Sequence, residues 1–324
     1  MQQAFYDQHG AAAHVVQLRD LNPQPLSEGE TRVKILRSPI NPSDIAQIEG
    51  VYGLQPPLPA PAGMEGIGEV VEVNGAGHPL GTLVLLSDPP GAWVTERVFP
   101  TDTLVPVPPA DIDQLSMLTV NPATAYLLLR DYVDLQSGDW IIQTAGNSAV
   151  GRYITQLAKA RGIKVASVVR RESALASVED AGCDAAFVDG PDLANRVSST
   201  LPNAPVLAID AVAGDAFGRL AATLANGGVA VSYGGMSGEP IRIPDNLLIF
   251  NGVSVRGFWL VNWLTTASPE EMQRVYGELT QLVLEGRLSA PIDRVFTLGE
   301  IKEALAFTVA GERQGKVLLA PNGV

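Results

Sequence analysis

The chain has 324 residues, enough for about two domains at roughly 150 residues each, and its 46% hydrophobic and 18% charged residues are an ordinary globular balance. A net charge of −13 repels phosphate backbones and anionic lipid, so neither nucleic acid nor a membrane is an expected partner. The single cysteine, Cys183, and the three histidines, which lack metal-ligand spacing, exclude a disulfide framework and a cysteine-based zinc site; no metal is expected.

The chain opens MQQAFYDQHGAAAHVV, without a basic region followed by an apolar run and without an Arg-rich amphipathic start. No targeting peptide is therefore expected, and the cytoplasm is the expected location. The first third is rich in Gly and Pro. TRVKILRS alternates Val33 and Ile35 with Arg32 and Lys34, as a half-buried strand does. GIGEVVEVNGAG, GTLVLLS and GAWVTERVFP read as further short strands closed by turns, which suggests a small barrel or sandwich. From about residue 116 the rhythm changes. In NPATAYLLLRDYV, Asn121 is placed to cap a helix with Pro122 at its first position. Six apolar strands then alternate with helical patterns: DWIIQTA, KVASVVR, AAFVDG, VLAIDAV, GVAVSYGG and VSVRGFW. That alternation predicts an α/β fold with a doubly wound parallel sheet of the dinucleotide-binding type. In SPEEMQRVYGELTQLVLEG, Ser268 and Glu271 suit a capping box. Met272, Val275, Tyr276, Leu279, Leu282 and Val283 form a core stripe, and Gly286 stops the helix. The tail reads as a helix and then a strand.

Between the strand DWIIQTA and the helix RYITQLAKAR lies Gly146-Asn147-Ser148-Ala149-Val150-Gly151. Two of the three fingerprint glycines are present, Gly146 and Gly151, with Ser148 in the middle place. A helix N-terminus there offers free N–H groups to a pyrophosphate. The next strand ends at Val169. An NAD-selective fold usually has an acid at this point to hold the ribose 2′-hydroxyl. This chain has Arg170 and Arg171, followed by Glu172. Paired guanidinium groups suit a 2′-phosphate, so NADPH is the expected cofactor.

The β-rich first third, the late dinucleotide domain and the returning tail resemble the medium-chain dehydrogenase/reductase superfamily across essentially the whole chain. Zinc alcohol dehydrogenases of that superfamily carry a Cys near the first loop and a Gly-His-Glu motif. Here the loop reads SPINPSDIAQ and the motif reads Gly63-Met64-Glu65-Gly66, so the resemblance is to the zinc-free branch. Within it, INPSDIAQIEGVYG, VNPATAY, NSAVG, VVRRE, SYGGM and RGFWLVNW look like 2-enoyl thioester reductases, and related quinone oxidoreductases share part of this text. The resemblance implies a GroES-like β-rich catalytic domain over residues 1–115 and 290–324, and a Rossmann NADPH-binding domain over 116–289.

It also implies roles for individual residues. Tyr52 matches a proton donor and Asn121 a cofactor-contacting asparagine. Asn147, Ser148, Ala149 and Val150 match the phosphate turn, and Arg170 and Arg171 the 2′-phosphate site. Tyr233, Gly234, Gly235 and Met236 match a loop beside the nicotinamide ribose, and Phe258, Trp259 and Leu260 a wall of the nicotinamide. Lys316 matches a lysine near the cofactor phosphate. Trp259 and Trp263 either line an acyl path or are core aromatics. Ala149 stands where the family tends to have Gly, which requires a negative φ there.

A metal-free hydride transfer needs an electron-poor acceptor, and a double bond conjugated to a thioester carbonyl is one. The expected activity is reduction of a trans-2-enoyl thioester of coenzyme A or acyl carrier protein, with Tyr52 supplying a proton or else only shaping the pocket at an interdomain cleft. The rivals are an NADPH:quinone oxidoreductase and a non-catalytic NADPH-binding sensor. A homodimer through the sixth strand, VSVRGFW, is implied by the resemblance alone.

Overall fold

The computed structural model describes residues 1–86, 91–311 and 313–323. It forms two compact units, Met1–Val120 with Glu270–Val324, and Asn121–Pro269.

In the first unit the strands are β1 (Gln2–Tyr6), β2 (Gln17–Asp20), β3 (Glu30–Pro39), β4 (Ala60–Pro61), β5 (Gly66–Asn74), β6 (Leu83–Leu86), β7 (Glu96–Pro100) and β8 (Val105–Val107). β1 lies between β2 and β4 in a small antiparallel sheet. The strand expected over GTLVLLS is β6, and its last residue, Ser87, lies outside the described residues. In β3, Val33 and Ile35 are buried, as the alternation requires. Arg32, expected outside, is buried instead: its Nε meets Glu72 Oε2 at 2.7 Å and its Nη2 donates to Gln24 O at 2.5 Å. The pairing of β3 with β5 shifts register between Arg32 and Val33, and such an irregularity re-aims the flanking side chains.

The second unit holds β9 (Trp140–Thr144), β10 (Lys164–Val169), β11 (Ala185–Val188), β12 (Leu207–Asp210), β13 (Val229–Ser232) and β14 (Ser254–Gly257). All pairs are parallel, in the order β11-β10-β9-β12-β13-β14. This is the doubly wound order, with the direction of winding reversing beside β9. Ile142, Ala166, Val168, Ala208 and Ala230 of the strands pack with Phe217, Leu220 and Val197 of covering helices. The near-continuous apolar strands of the sequence are those of a sheet covered on both faces.

The chain then returns to the first unit. Helix Pro269–Leu284 buries Val275, Tyr276, Leu279 and Val283, and Gly286 follows it at φ +66. β15 (Ile292–Thr297) and β16 (Lys316–Ala320) pair in parallel, and β16 lies antiparallel to β3. The larger sheet runs β15-β16-β3-β5-β6-β8, with β7 also on β3. Its core includes Val33, Ile35, Val70, Val84 and Phe99. A second core gathers Tyr6, Ile40, Ile48, Trp93, Phe296 and Leu305. Gly63, at φ +95, lets the indole of Trp93 lie against the backbone just before Met64 and Glu65; a Cβ would collide with that ring. Among the described residues no helix is long and apolar enough to cross a membrane.

Candidate functional site

In the second unit the phosphate turn lies between β9 and helix Ala149–Ala160. Gly146 and Gly151 are required there for packing. A Cβ on Gly146 would stand 2.7 Å from Ser167 Cβ, and one on Gly151 would stand 2.7 Å from the carbonyl oxygens of Ala145 and Gly146. Ser148 caps the helix: φ is −73, and its Oγ accepts from Gly151 N at 3.1 Å. The middle fingerprint place therefore needs no glycine. Asn147 is exposed, and Ser148, Ala149 and Val150 are half-buried. Ala149 opens the helix and adopts no positive φ. The left-handed residue lies earlier in the turn, Ala145 at φ 51, which the sequence did not disclose.

Arg170 and Arg171 follow β10 directly and are both exposed; Glu172 begins a short 3-10 turn after them. In the loop after β13, Tyr233 N donates to Asp210 O at 2.8 Å and Met236 N to Ala211 O at 3.0 Å. Burial raises the pKa of the Tyr233 phenol, with the Ser148 side chain opposing. Gly234 is half-buried, while Gly235 and Met236 are exposed. Past β14, Phe258 N donates to Ser232 O at 2.9 Å. Trp259 caps helix Leu260–Thr266, on which Trp263 lies one turn on; both indoles are half-buried and Leu260 is buried. Asn121, 6% exposed, starts helix Asn121–Arg130 as its first residue, not as the residue before it.

Two residues that the sequence did not single out tie this end of the sheet together. Thr144 ends β9 and Asp210 ends β12, the two strands flanking the reversal of winding. Thr144 Oγ1 donates to Asp210 Oδ1 at 2.7 Å and accepts from Ala211 N at 2.9 Å. Asp210 Oδ2 accepts from Ala213 N at 2.7 Å, holding Ala213 at φ 64. Burial raises the Asp210 pKa, against the pull of the Ala213 and Thr144 donors. A polar residue closing each of two apolar strands was the available signal. In open α/β sheets ligands bind outside the carboxyl ends of strands at such a reversal. The glycine cradle, the capped helix N-terminus and the two exposed arginines fit an NADP-type dinucleotide.

In the first unit Tyr52 follows helix Pro42–Glu49, which starts from Asn41 and stops at Gly50, φ +82. Val51 N and Tyr52 N both donate to Ala46 O, at 2.9 and 3.1 Å, and Gln55 Nε2 donates to Tyr52 O at 2.9 Å. The phenol-bearing residue is thus half-exposed on a backbone fixed by the helix end.

Lys316 opens β16 in the first unit. It is 6% exposed, and its Nζ donates to Asn41 Oδ1 at 2.5 Å and Ile40 O at 3.2 Å. β16 runs beside β3, so its first residue emerges against residues 40–41. Around it lie the fully buried carboxyls of Asp44 and Glu65. Burial pushes Asp44 up to about 7 and raises Glu65, with Lys316 opposing both; burial lowers Lys316, with Glu65 opposing. Among the described residues no group of three or more His, Cys, Asp or Glu is arranged to hold a metal. With Met64 in the motif and Cys183 in the other unit, the donor set does not fit zinc.

Family models described as alcohol dehydrogenase GroES-like domain and zinc-binding dehydrogenase match residues 27–109 and 149–280. The mitochondrial enoyl-[acyl-carrier-protein] reductase of Rattus norvegicus is 37% identical over 312 residues, covering 93% of this chain and 83% of that protein. The mitochondrial 2-enoyl thioester reductase heterodimer from Candida tropicalis superposes with a TM-score of 0.89 at 29% identity, covering 98% of this chain and 99% of that one. A structure described as the Etr1p/NADP/crotonyl-CoA complex gives 0.89 at 28% identity with the same coverage. A structure described as a putative NADPH:quinone reductase from Bacillus thuringiensis gives 0.90 at 26% identity, covering 98% of each chain. The cytoplasmic location expected from the sequence is overturned by these relatives: the rat protein and its Homo sapiens counterpart, 38% identical, are both named mitochondrial. The chain belongs to the enoyl-[acyl-carrier-protein] reductase family of the medium-chain dehydrogenase/reductase superfamily and is an NADPH-dependent oxidoreductase.

Proposed function

We propose that the chain reduces the α,β double bond of a trans-2-enoyl thioester, carried on coenzyme A or acyl carrier protein. The observation that carries this reading is the likeness, over 93% of the chain, to a relative named enoyl-[acyl-carrier-protein] reductase. NADPH supplies the hydride that reaches the β-carbon. The chain's own residues bind, orient and protonate. Gly146, Asn147, Ser148, Ala149, Val150 and Gly151 hold the pyrophosphate, and Arg170 with Arg171 pairs with the 2′-phosphate. Tyr233, Gly234, Gly235 and Met236 lie beside the nicotinamide ribose, Asn121 contacts the cofactor, Phe258, Trp259 and Leu260 wall the nicotinamide, and Trp259 and Trp263 line the acyl path. As charge moves onto the thioester carbonyl, Tyr52, a neutral phenol on a fixed backbone, gives the proton that the α-carbon takes.

The test is NADPH oxidation with short and medium trans-2-enoyl-CoA beside simple and polycyclic quinones. Thioester turnover with kcat/KM above about 10⁴ M⁻¹s⁻¹ is expected. Turnover of quinones alone would move the chain to the second reading, quinone reduction, which the likeness to the B. thuringiensis structure favours.

The same reading includes a homodimer through β14. This edge strand exposes Arg256 and Gly257, and the preceding segment exposes Ile249 and Phe250, the latter 81% exposed. An apolar patch beside an open strand edge suits pairing with a second copy. Light scattering should give a dimer mass, with Phe250→Asp shifting it toward monomer.

A further inference from the structure

Polar residues far apart in sequence meet inside the first unit, where nothing in the chemistry above uses them. Glu65 is fully buried. Its Oε1 accepts from Asn41 Nδ2 at 2.7 Å, and its Oε2 from Thr119 Oγ1 at 3.0 Å and Val120 N at 2.9 Å. Ser38 Oγ donates to the Glu65 carbonyl at 2.5 Å. Asn41 is held from the other side by Lys316 Nζ at 2.5 Å, and its own N–H donates to Asp44 Oδ2 at 2.7 Å.

Buried ionic groups seldom add net stability, since desolvation offsets their attraction; their best-attested use is to fix one arrangement among several. What this cluster fixes can be read from its connections. Asn41 is the residue from which helix Pro42–Glu49 starts, and the far end of that helix holds Val51 and Tyr52 through Ala46 O. Gln47 of the same helix also donates to Leu54 O at 3.2 Å. Glu65 grips the backbone of Val120, the residue next in sequence to Asn121. One carboxylate thus restrains both the helix that carries the proposed proton donor and the segment leading into the proposed cofactor contact.

We infer that Glu65 and Asn41 are positioning residues of the reductase: a buried carboxylate–amide–ammonium relay, Glu65–Asn41–Lys316, holds the Tyr52 backbone and the chain entering Asn121 in place. The inference rests on the reading of Tyr52 as proton donor. Polarity around the relay is directional. As a carboxylate Glu65 offers only acceptors, Asn41 turns a donor toward Glu65 and an acceptor toward Lys316, and the Lys316 ammonium offers only donors. Glu65→Gln breaks that pattern by presenting an amide N–H₂ to a donor. Asn41→Asp alone sets two acceptors against each other. The double variant Glu65→Gln/Asn41→Asp restores it. The amide introduced at position 65 donates to the carboxylate introduced at position 41, which still accepts from Lys316, while the amide oxygen faces Thr119 and Val120.

The experiment compares the wild-type full chain, both single variants, the double variant and the milder Thr119→Val. It reads hydrogen exchange at the Val51, Tyr52 and Val120 amides, kcat with crotonyl-CoA, and the NADPH Kd. Glu65→Gln should speed exchange at all three amides and lower kcat, each by about tenfold or more, as an unsatisfied buried donor does. The NADPH Kd should rise by a smaller factor than kcat falls, because Asn121 alone of the cofactor contacts follows the loosened segment. The double variant should recover most of both losses, which lost packing alone cannot explain. If Glu65→Gln fails to fold, the double variant must still exceed the worse single, and Thr119→Val must raise exchange at Val120. Unchanged exchange at Tyr52 in Glu65→Gln, no rescue in the double variant, or faster exchange with unaltered kcat would each overturn the inference. A wild-type protein that leaves crotonyl-CoA untouched would count against the functional reading alone, because exchange still reports the relay.

Discussion

Gly151→Ala tests the phosphate turn where its geometry is tightest. The added Cβ would stand 2.7 Å from two backbone carbonyl oxygens, Ala145 and Gly146, and 2.8 Å from Gly146 C. These are backbone atoms with no flexible end to swing aside. The helix start or the turn must therefore shift. Overpacking of this kind costs about 1–3 kcal/mol. At roughly 2–4 °C per kcal/mol for a domain of 150–250 residues, Tm should fall by roughly 2–12 °C. The same shift carries away the N–H groups of residues 149–151 and the Ser148 cap, so the NADPH Kd should rise as well. Gly277→Ala is the matched control: Gly277 is mid-helix and exposed, with nothing within 4 Å of a new Cβ and no positive φ. That change should raise stability by about 0.5–1 kcal/mol and leave the Kd alone. Differential scanning calorimetry and fluorescence titration read both quantities. Gly151→Ala with wild-type Tm and wild-type Kd would show that the turn is not packed as described and that its N–H groups do not bind the cofactor.

Other outcomes follow from the same geometry. Arg170→Ala with Arg171→Ala should lower the NADPH:NADH preference in kcat/KM by about 10–100-fold, the worth of a charge-assisted contact of about 1.5–3 kcal/mol, and an unchanged ratio would leave the pair as solvated surface. Tyr52→Phe should lower kcat by about 10²-fold or more with NADPH affinity unaltered; a kcat near wild type would make the phenol a wall of the pocket. Asp44, pushed by burial from 3.8 to about 7, keeps its proton in the folded state where the unfolded chain has lost it. Its contribution to stability is therefore complete below about pH 3.8 and is lost as pH rises to 7, amounting to at most about 4 kcal/mol. Urea unfolding of Asp44→Asn between those pH values should show a flatter profile than wild type, and parallel profiles would refute the assignment.

The sequence by itself determined the local elements and their chemistry. Val33 and Ile35 alternating with charged residues made β3 a strand, and six apolar runs separated by helical patterns made the parallel sheet, because backbone periodicity is written in neighbouring residues. The two glycines and Ser148 were legible as a phosphate turn for the same reason. A spacing of a few residues decides whether a Cβ collides and whether a helix is capped. Lys316 was legible only as a lysine before an apolar strand. Its partners Ile40 and Asn41 lie some 275 positions away and meet it because β16 joins β3. Glu65 with Thr119, and Thr144 with Asp210, were hidden likewise: each pair needs strand order and register before two polar atoms fall within hydrogen-bonding distance. Ala145 at positive φ carries no mark in composition, since the surrounding turn and not the residue type imposes it. Tertiary structure alone decided where the buried charges go, because a carboxylate can leave water only where several distant donors converge on it.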